Sequence, residues 1–242
     1  MKSILLAGTC VAAICAGAGM ALAEGTYLSL SAGGAWTGAL YDEPFGHTNE
    51  FCLTTCGFKN LPFDTGFVGS AAFGFIFAPG FRLEGELGLR GNNINYTVPP
   101  DSDATTDFEG NLAGRATIFT GMANAWYDIP TGGPLTPYVG VGVGFANVNM
   151  NFTNSDTNLG NENGNVNESQ TVLAYQLGAG AAYNFSPDVA LTFDYRFLGT
   201  SNVWLPTGQG DEWGVKDVSG HSVMVGVRLN LGPHTIGTMT GY

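Results

Sequence analysis

The sequence predicts an all-β fold: an eight-stranded antiparallel up-and-down transmembrane β-barrel with short periplasmic turns and long extracellular loops. Three observations carry this expectation. Apolar residues recur at every second position in eight separate segments, as Val139, Val141, Val143 and Phe145 do between Gly140, Gly142 and Gly144, which is the period of a strand whose two faces differ. Only 12% of the chain is charged, against roughly 25% in ordinary soluble domains. The face built from Gly, Ala, Ser, Asn and Thr is then too poor in charge to be a solvated exterior, so the apolar face meets lipid and the small polar face lines a narrow interior. Short and long connections alternate along the chain, as they do in outer-membrane barrels whose short turns face the periplasm.

In chain order, residues 1–23 read as a signal peptide. Lys2 supplies the positive start, an apolar run follows from Ile4 to Leu22, and Ala21-Leu22-Ala23 places cleavage between Ala23 and Glu24. The barrel is expected over residues 24–231. Its strands lie near Thr26–Trp36, Phe67–Phe77, Phe81–Arg90, Leu112–Tyr127, Pro137–Val148, Thr171–Phe185, Val189–Leu198 and His221–Leu231. Each is about the 9–11 residues or more that a tilted spanning strand needs. In the fourth, the inward face is that of either Arg115 or Asn124. Ala78-Pro79-Gly80, the stretch from Asp128 to Leu135 and Ser186-Pro187-Asp188 are turns; four long loops fall near 37–66, 91–111, 149–170 and 199–220. Residues 232–242 form a short tail, unless the last strand is misplaced. No later stretch reaches about 18 uninterrupted apolar residues, so no helix is expected to span the bilayer.

Alternation places charge on one face of three strands. Arg82, Glu84, Glu86 and Arg90 share the even positions of the third, Asp194 and Arg196 those of the seventh, and Arg228 with Asn230 those of the eighth. An Arg or Lys facing lipid at mid-depth costs roughly 2–4 kcal/mol, so all of these point inward. The third and seventh strands lie opposite each other in an eight-membered ring. Glu84 or Glu86 is expected to reach Arg228, and Arg90 to reach Asp194, in a buried network that plugs the barrel. A narrow ion path is the alternative use of such a lining. Paired catalytic carboxylates are disfavoured because neither a nucleophile nor a dedicated His accompanies them. Trp36, Tyr96, Trp126, Tyr127, Tyr138, Tyr183 and Phe185 sit near strand ends and read as aromatic girdles.

The formal net charge of −12 becomes −13 when Lys2 leaves with the leader, which argues against nucleic acid as a partner. The excess sits in the long loops, at Asp42, Glu43, Glu50, Asp64, Asp101, Asp103, Asp107, Glu109, Asp156, Glu162, Glu168, Asp211, Glu212 and Asp217, against only Lys59 and Lys216. Such loops favour solubility and mutual repulsion, or share divalent cations with neighbouring lipopolysaccharide phosphates. Cys52 and Cys56 are the thiols left in an oxidising compartment and are expected to close a small disulfide loop. No metal or cofactor is expected: His47 and Glu50 beside those cysteines make no defined zinc set, and around Asp101 and Asp103 the positions an EF-type loop reserves for Gly and Glu hold Thr106 and Leu112. His221-Ser222 is the pair in which a lipid hydrolase could place a dyad, yet adjacent strand residues face opposite sides.

Thr136-Pro137-Tyr138-Val139-Gly140, the run AYQLGAGAAYNFSPDVALTFDYRF from Ala174 to Phe197, and HSVMVGVRLNL from His221 to Leu231 resemble the small outer-membrane β-barrel family of opacity-type and OmpA-like porin-family surface antigens. The resemblance covers nearly the whole chain after residue 23. It implies the outer membrane of a Gram-negative bacterium, contact with its lipid and lipopolysaccharide, and recognition by the outer-membrane insertion machinery, for which such chains end on an aromatic residue. Here Gly232 to Tyr242 continue past the last strand. The expected function is a structural surface barrel without catalysis, supporting membrane integrity and presenting acidic loops to a host or surface ligand. The alternatives are a narrow porin-like channel for small solutes or ions and, less favoured, a lipid-A-modifying enzyme.

Overall fold

The computed structural model describes residues 23–41, 60–62, 65–77, 80–97, 110–156, 165–201, 203–206 and 212–231. Residues 1–22 of the expected signal peptide, Cys52 and Cys56, most loop acids and residues 232–242 lie outside the described residues. The chain forms β1 (Gly25–Tyr41), β2 (Asn60–Pro62), β3 (Gly66–Ile76), β4 (Phe81–Thr97), β5 (Gly110–Asp128), β6 (Leu135–Asp156), β7 (Asn165–Asn184), β8 (Val189–Thr200), β9 (Val203–Pro206) and β10 (Glu212–Leu231). Neighbours pair antiparallel in the order β2-β1-β3-β4-β5-β6-β7-β8-β10-β9, and β1 pairs with β10 to close the sheet. β2 meets the far end of β1 beyond β3, and β9 meets β10 beyond β8, so each continues an interrupted strand. The result is the eight-stranded antiparallel barrel that the sequence predicts. Closure leaves no unpaired edge for lipid to meet, the condition for a sheet to span a bilayer.

At the short-turn end, Phe77 N–H donates to Phe81 O at 2.8 Å, Ile129 N–H to Pro137 O at 2.8 Å and Phe185 N–H to Val189 O at 3.0 Å. Two turns need a positive φ, 92° at Gly80 and 73° at Gly132, where a side chain is strained.

At the opposite end most strands run further than the sequence predicts. β4 continues from Arg90 to Thr97, β6 from Val148 to Asp156 and β10 begins at Glu212 rather than His221. The reason is visible in β6. Val139, Val141, Val143 and Phe145 face outward, and inward lie only Gly140, Gly142 and Gly144; two residues on, Asn147, Asn149 and Asn151 face outward and Ala146, Val148 and Met150 are buried inside. The same exchange occurs between Phe119 and Thr117 on β5, between Leu173 and Thr171 on β7 and between His221 and Ser219 on β10. The wall is apolar-out where lipid surrounds it and polar-out where it emerges. Hydrogen-bonded pairing persists across the change, but the outward apolar repeat that marks a spanning strand stops there.

This exchange corrects one expectation about the lumen. Its far half is not small and polar: Ile118, Met122, Val148, Met150, Val172, Leu198 and Val218 form a buried apolar cluster inside the barrel. Once the outer wall is wetted, inward apolar residues give the emerging sheet an ordinary hydrophobic core.

Candidate functional site

Below that cluster, toward the short turns, the lumen is polar. The even positions of β4 carry Arg82, Glu84, Glu86 and Arg90, those of β8 Asp194 and Arg196, and that of β10 Arg228; all seven are buried. On β5, Asn124 points inward and Arg115 outward, which resolves that strand's facing and brings Trp126 and Asp128 inward with Asn124.

Glu84, Arg82 and the Glu86–Arg196 pair are the three centres of the network. Glu84 accepts hydrogen bonds from Tyr27 Oη at 2.6 Å, Trp126 Nε1 at 2.8 Å and Asn124 Nδ2 at 3.0 Å. Arg82 grips Asp128 with two prongs, Nε to Oδ2 at 2.9 Å and Nη2 to Oδ1 at 2.8 Å, and its Nη1 donates to Tyr27 Oη at 2.9 Å. Glu86 and Arg196 form an ion pair across the lumen, and Asp194 lies 3.7 Å from Arg196 Nη2 while accepting from Tyr138 Oη at 2.8 Å. The Arg82 guanidinium stands 5.2 Å from the centre of the Tyr27 ring and 5.3 Å from that of Tyr138, and Arg196 stands 5.2 Å from that of Trp126, so aromatic faces complete their surroundings.

The opposed strands meet as the sequence predicts, but through different partners. Arg228 lies 3.8 Å from Asp128 rather than against Glu84 or Glu86. Arg90 donates to Ser222 Oγ at 3.3 Å rather than to Asp194. Stagger is the cause. Directly paired residues climb toward the far end around the ring, from Ser31 through Ser70, Gly88, Thr120 and Ala146 to Val172, whose neighbour Ala174 already pairs with the last residue of β8, Thr200. In a tilted, sheared barrel, residues facing one another across the lumen therefore differ in height by several positions. Arg90, four residues beyond Glu86, is lifted to the level of Ser222 while Asp194 stays with Glu86.

Four residues of the network escape the sequence reading. Asp128 was expected to open a turn but ends β5, and Tyr27, Trp126 and Tyr138 are buried in the lumen. Trp126 and Tyr138 are thus not girdle residues, whereas Trp36, Tyr127, Tyr183 and Phe185 are exposed on the outer wall; the side chain of Tyr96 lies outside the described residues. The signal for Trp126 was its parity with Asn124. The glycines opposite give a second: a Cβ at Gly140 or Gly178 would collide with the Trp126 ring, and one at Gly180 with Tyr138. These glycines are sockets for large side chains from the next strand or, for Gly178, the next but one.

A cavity of about 20 Å³ remains, lined by residues including Thr192, Arg196 and Arg228. Thr192 Oγ1, Arg196 Nε and Arg228 Nε find no protein partner; a cavity of that size is about what one water needs. On the outer wall, Tyr195 Oη and His221 Nδ1 are 2.7 Å apart. Ser222 faces inward, completely buried, so His221 and Ser222 do not form a dyad. Among the described residues no group of three or more His, Cys, Asp or Glu has the arrangement of a metal site.

A family model described as outer membrane protein beta-barrel domain matches residues 7–230. An "Outer membrane protein" of Gluconacetobacter diazotrophicus is 32% identical over 214 residues, 82% of this chain and 53% of that protein; the chain thus spans about half the length of that relative. Among solved structures, Neisserial surface protein A is 17% identical with a TM-score of 0.49, over 85% of this chain and 97% of that one. OprG from Pseudomonas aeruginosa is 12% identical with a TM-score of 0.49, over 86% and 97%.

Proposed function

Because the chain belongs to the outer-membrane β-barrel family and resides in the outer membrane, we propose that it acts as a sealed surface barrel. On this reading it reinforces the bilayer it spans and holds acid-rich segments at the cell surface, without passing solutes and without catalysis. The observation that supports the reading is that the lumen is filled at two successive heights. The Glu86–Arg196 pair and its neighbours bridge the turn-side half, and in the far half the cluster from Ile118 to Val218 packs beside buried Arg90, Asn92, Thr37 and Thr200. An ion would have to break a desolvated salt bridge, a barrier of several kcal/mol, and then displace closely packed side chains of the far half. The carboxylates that a hydrolase would use are already engaged by Tyr27, Asn124, Trp126 and Arg196. Display is supported by the acids lying in the sequence between strand ends on the side away from the turns.

Single-channel recording of the mature chain in planar bilayers tests the reading. The expected trace shows no steps above the bare-membrane leak. Discrete openings of reproducible conductance would replace it with the channel alternative.

A further inference from the structure

We propose that the turn-side half of the lumen holds a binding site for a single halide ion, chloride being the abundant one, at Arg196, Arg228 and Thr192. These three residues line the cavity of about 20 Å³ at that level. Thr192 Oγ1, Arg196 Nε and Arg228 Nε have no protein partner, and each residue is more than nine-tenths buried. Orphaned buried donors are rare in native proteins, because each keeps the cost of leaving water. Three on one small cavity mark a place built to receive an acceptor.

The chemistry of the lining selects that acceptor. A guanidinium donates and never accepts. A water held by the two Nε–H groups must still find acceptors for both of its hydrogens, of which the Thr192 hydroxyl supplies at most one. The lining carboxylates are already engaged: Glu84 by Tyr27, Asn124 and Trp126, and Asp194 Oδ1 by Tyr138. A halide needs no such acceptor and takes charge-assisted bonds from every side. Charge also favours it. Arg228 has Asp128 at 3.8 Å, but Arg82 grips that carboxylate with two prongs, so two cations share one acid. The volume admits one atom of about the size of a water, which excludes phosphate, sulfate and carboxylates.

The strands keep the hydroxyl uncovered. Gly226 pairs directly with Ser31 on one side and Thr192 on the other, and a Cβ there would collide with both hydroxyls. An ion enters from the turn end, past Asp128, the least buried charge of these ion pairs. The site lies on that side of the Glu86–Arg196 pair and does not depend on the lumen being sealed beyond it.

Crystals of the mature chain grown in sodium bromide test the site, because bromide replaces chloride and scatters anomalously. The expected map carries one strong anomalous peak in the cavity, within hydrogen-bond distance of Arg196 Nε, Arg228 Nε and Thr192 Oγ1. In vesicles, urea unfolding is followed at constant ionic strength while chloride replaces gluconate, an anion too large for the cavity. The wild-type midpoint is expected to rise with chloride, as it does for any ligand of the folded state. Thr192→Val removes one donor at nearly unchanged shape and is expected to weaken chloride binding about tenfold, the value of one charge-assisted contact. Heat-modified gel mobility confirms that the variant folds, and the bromide map needs no variant. A cavity that holds a water and gives no anomalous signal would overturn the proposal. Bromide confined to the outer surface, an adventitious ion only, would overturn it too, as would equal chloride dependence in the wild type and Thr192→Val.

Discussion

Replacing Glu86 by Leu leaves the Arg196 guanidinium in a lumen where both residues are only 5% exposed. Removing one member of a buried ion pair costs about 3–5 kcal/mol, because the remaining charge keeps its desolvation penalty without its partner. Arg196 retains Asp194 at 3.7 Å and the Trp126 ring at 5.2 Å, which places Glu86→Leu near the lower limit, about 3 kcal/mol. Arg196→Met leaves Glu86 with the Gln176 amide and the Arg90 guanidinium and falls in the same range, about 3–5 kcal/mol; Asp194 is cushioned by the Tyr138 hydroxyl at 2.8 Å. The double variant removes both charges and fills the same space with apolar atoms, so its stability should lie within about 1 kcal/mol of wild type. The two single effects are therefore strongly non-additive, with a coupling of at least about 5 kcal/mol. Urea unfolding of the barrel in lipid vesicles, followed by tryptophan fluorescence and gel mobility, measures all four members of the cycle. A coupling below about 1 kcal/mol, the range of solvent-exposed pairs, would show that water reaches the pair, and the cross-lumen seal would fall with it.

Gly178→Leu drives a side chain into the Trp126 ring and should destabilise the barrel by about 1–3 kcal/mol, as overpacking does; the check is a shift of the urea midpoint with a changed near-ultraviolet Trp signal. Val143→Arg, on the lipid-facing wall, should cost about 2–4 kcal/mol, whereas Asn149→Arg, six residues along the same outward face, should stay within about 0.5 kcal/mol; equal effects in the vesicle unfolding assay would misplace the boundary between Phe145 and Asn147. A thiol-reactive maleimide should add no mass to the mature chain until a reductant opens the Cys52–Cys56 bridge, and sequencing from the amino terminus of the mature protein should begin at Glu24.

The membrane itself explains which parts of the fold were legible. Lipid imposes an apolar face on every strand that crosses it, so the eight spanning segments and their three short turns stood out by period alone. Beyond Phe145, Leu173 and Phe119 that constraint ends, and residues such as Asn149 and Ser169 pair in strands while carrying no outward apolar signal. The inward charges on β4, β8 and β10 were equally legible, because the lipid penalty forbids them any other direction.

Alternation along a strand specifies facing, and in this chain it specified the inside-out wall, the buried arginines and carboxylates, and Arg115 as one of two possible exceptions on β5. Height is not contained in alternation. Which arginine meets which acid depends on shear, a property of the closed ring that arises from the tilt and register of all eight strands together. Only the folded barrel therefore paired Arg82 with Asp128 and Glu86 with Arg196, seated Trp126 over Gly140 and Gly178, and gathered apolar residues from five strands into one cluster beneath the outer surface.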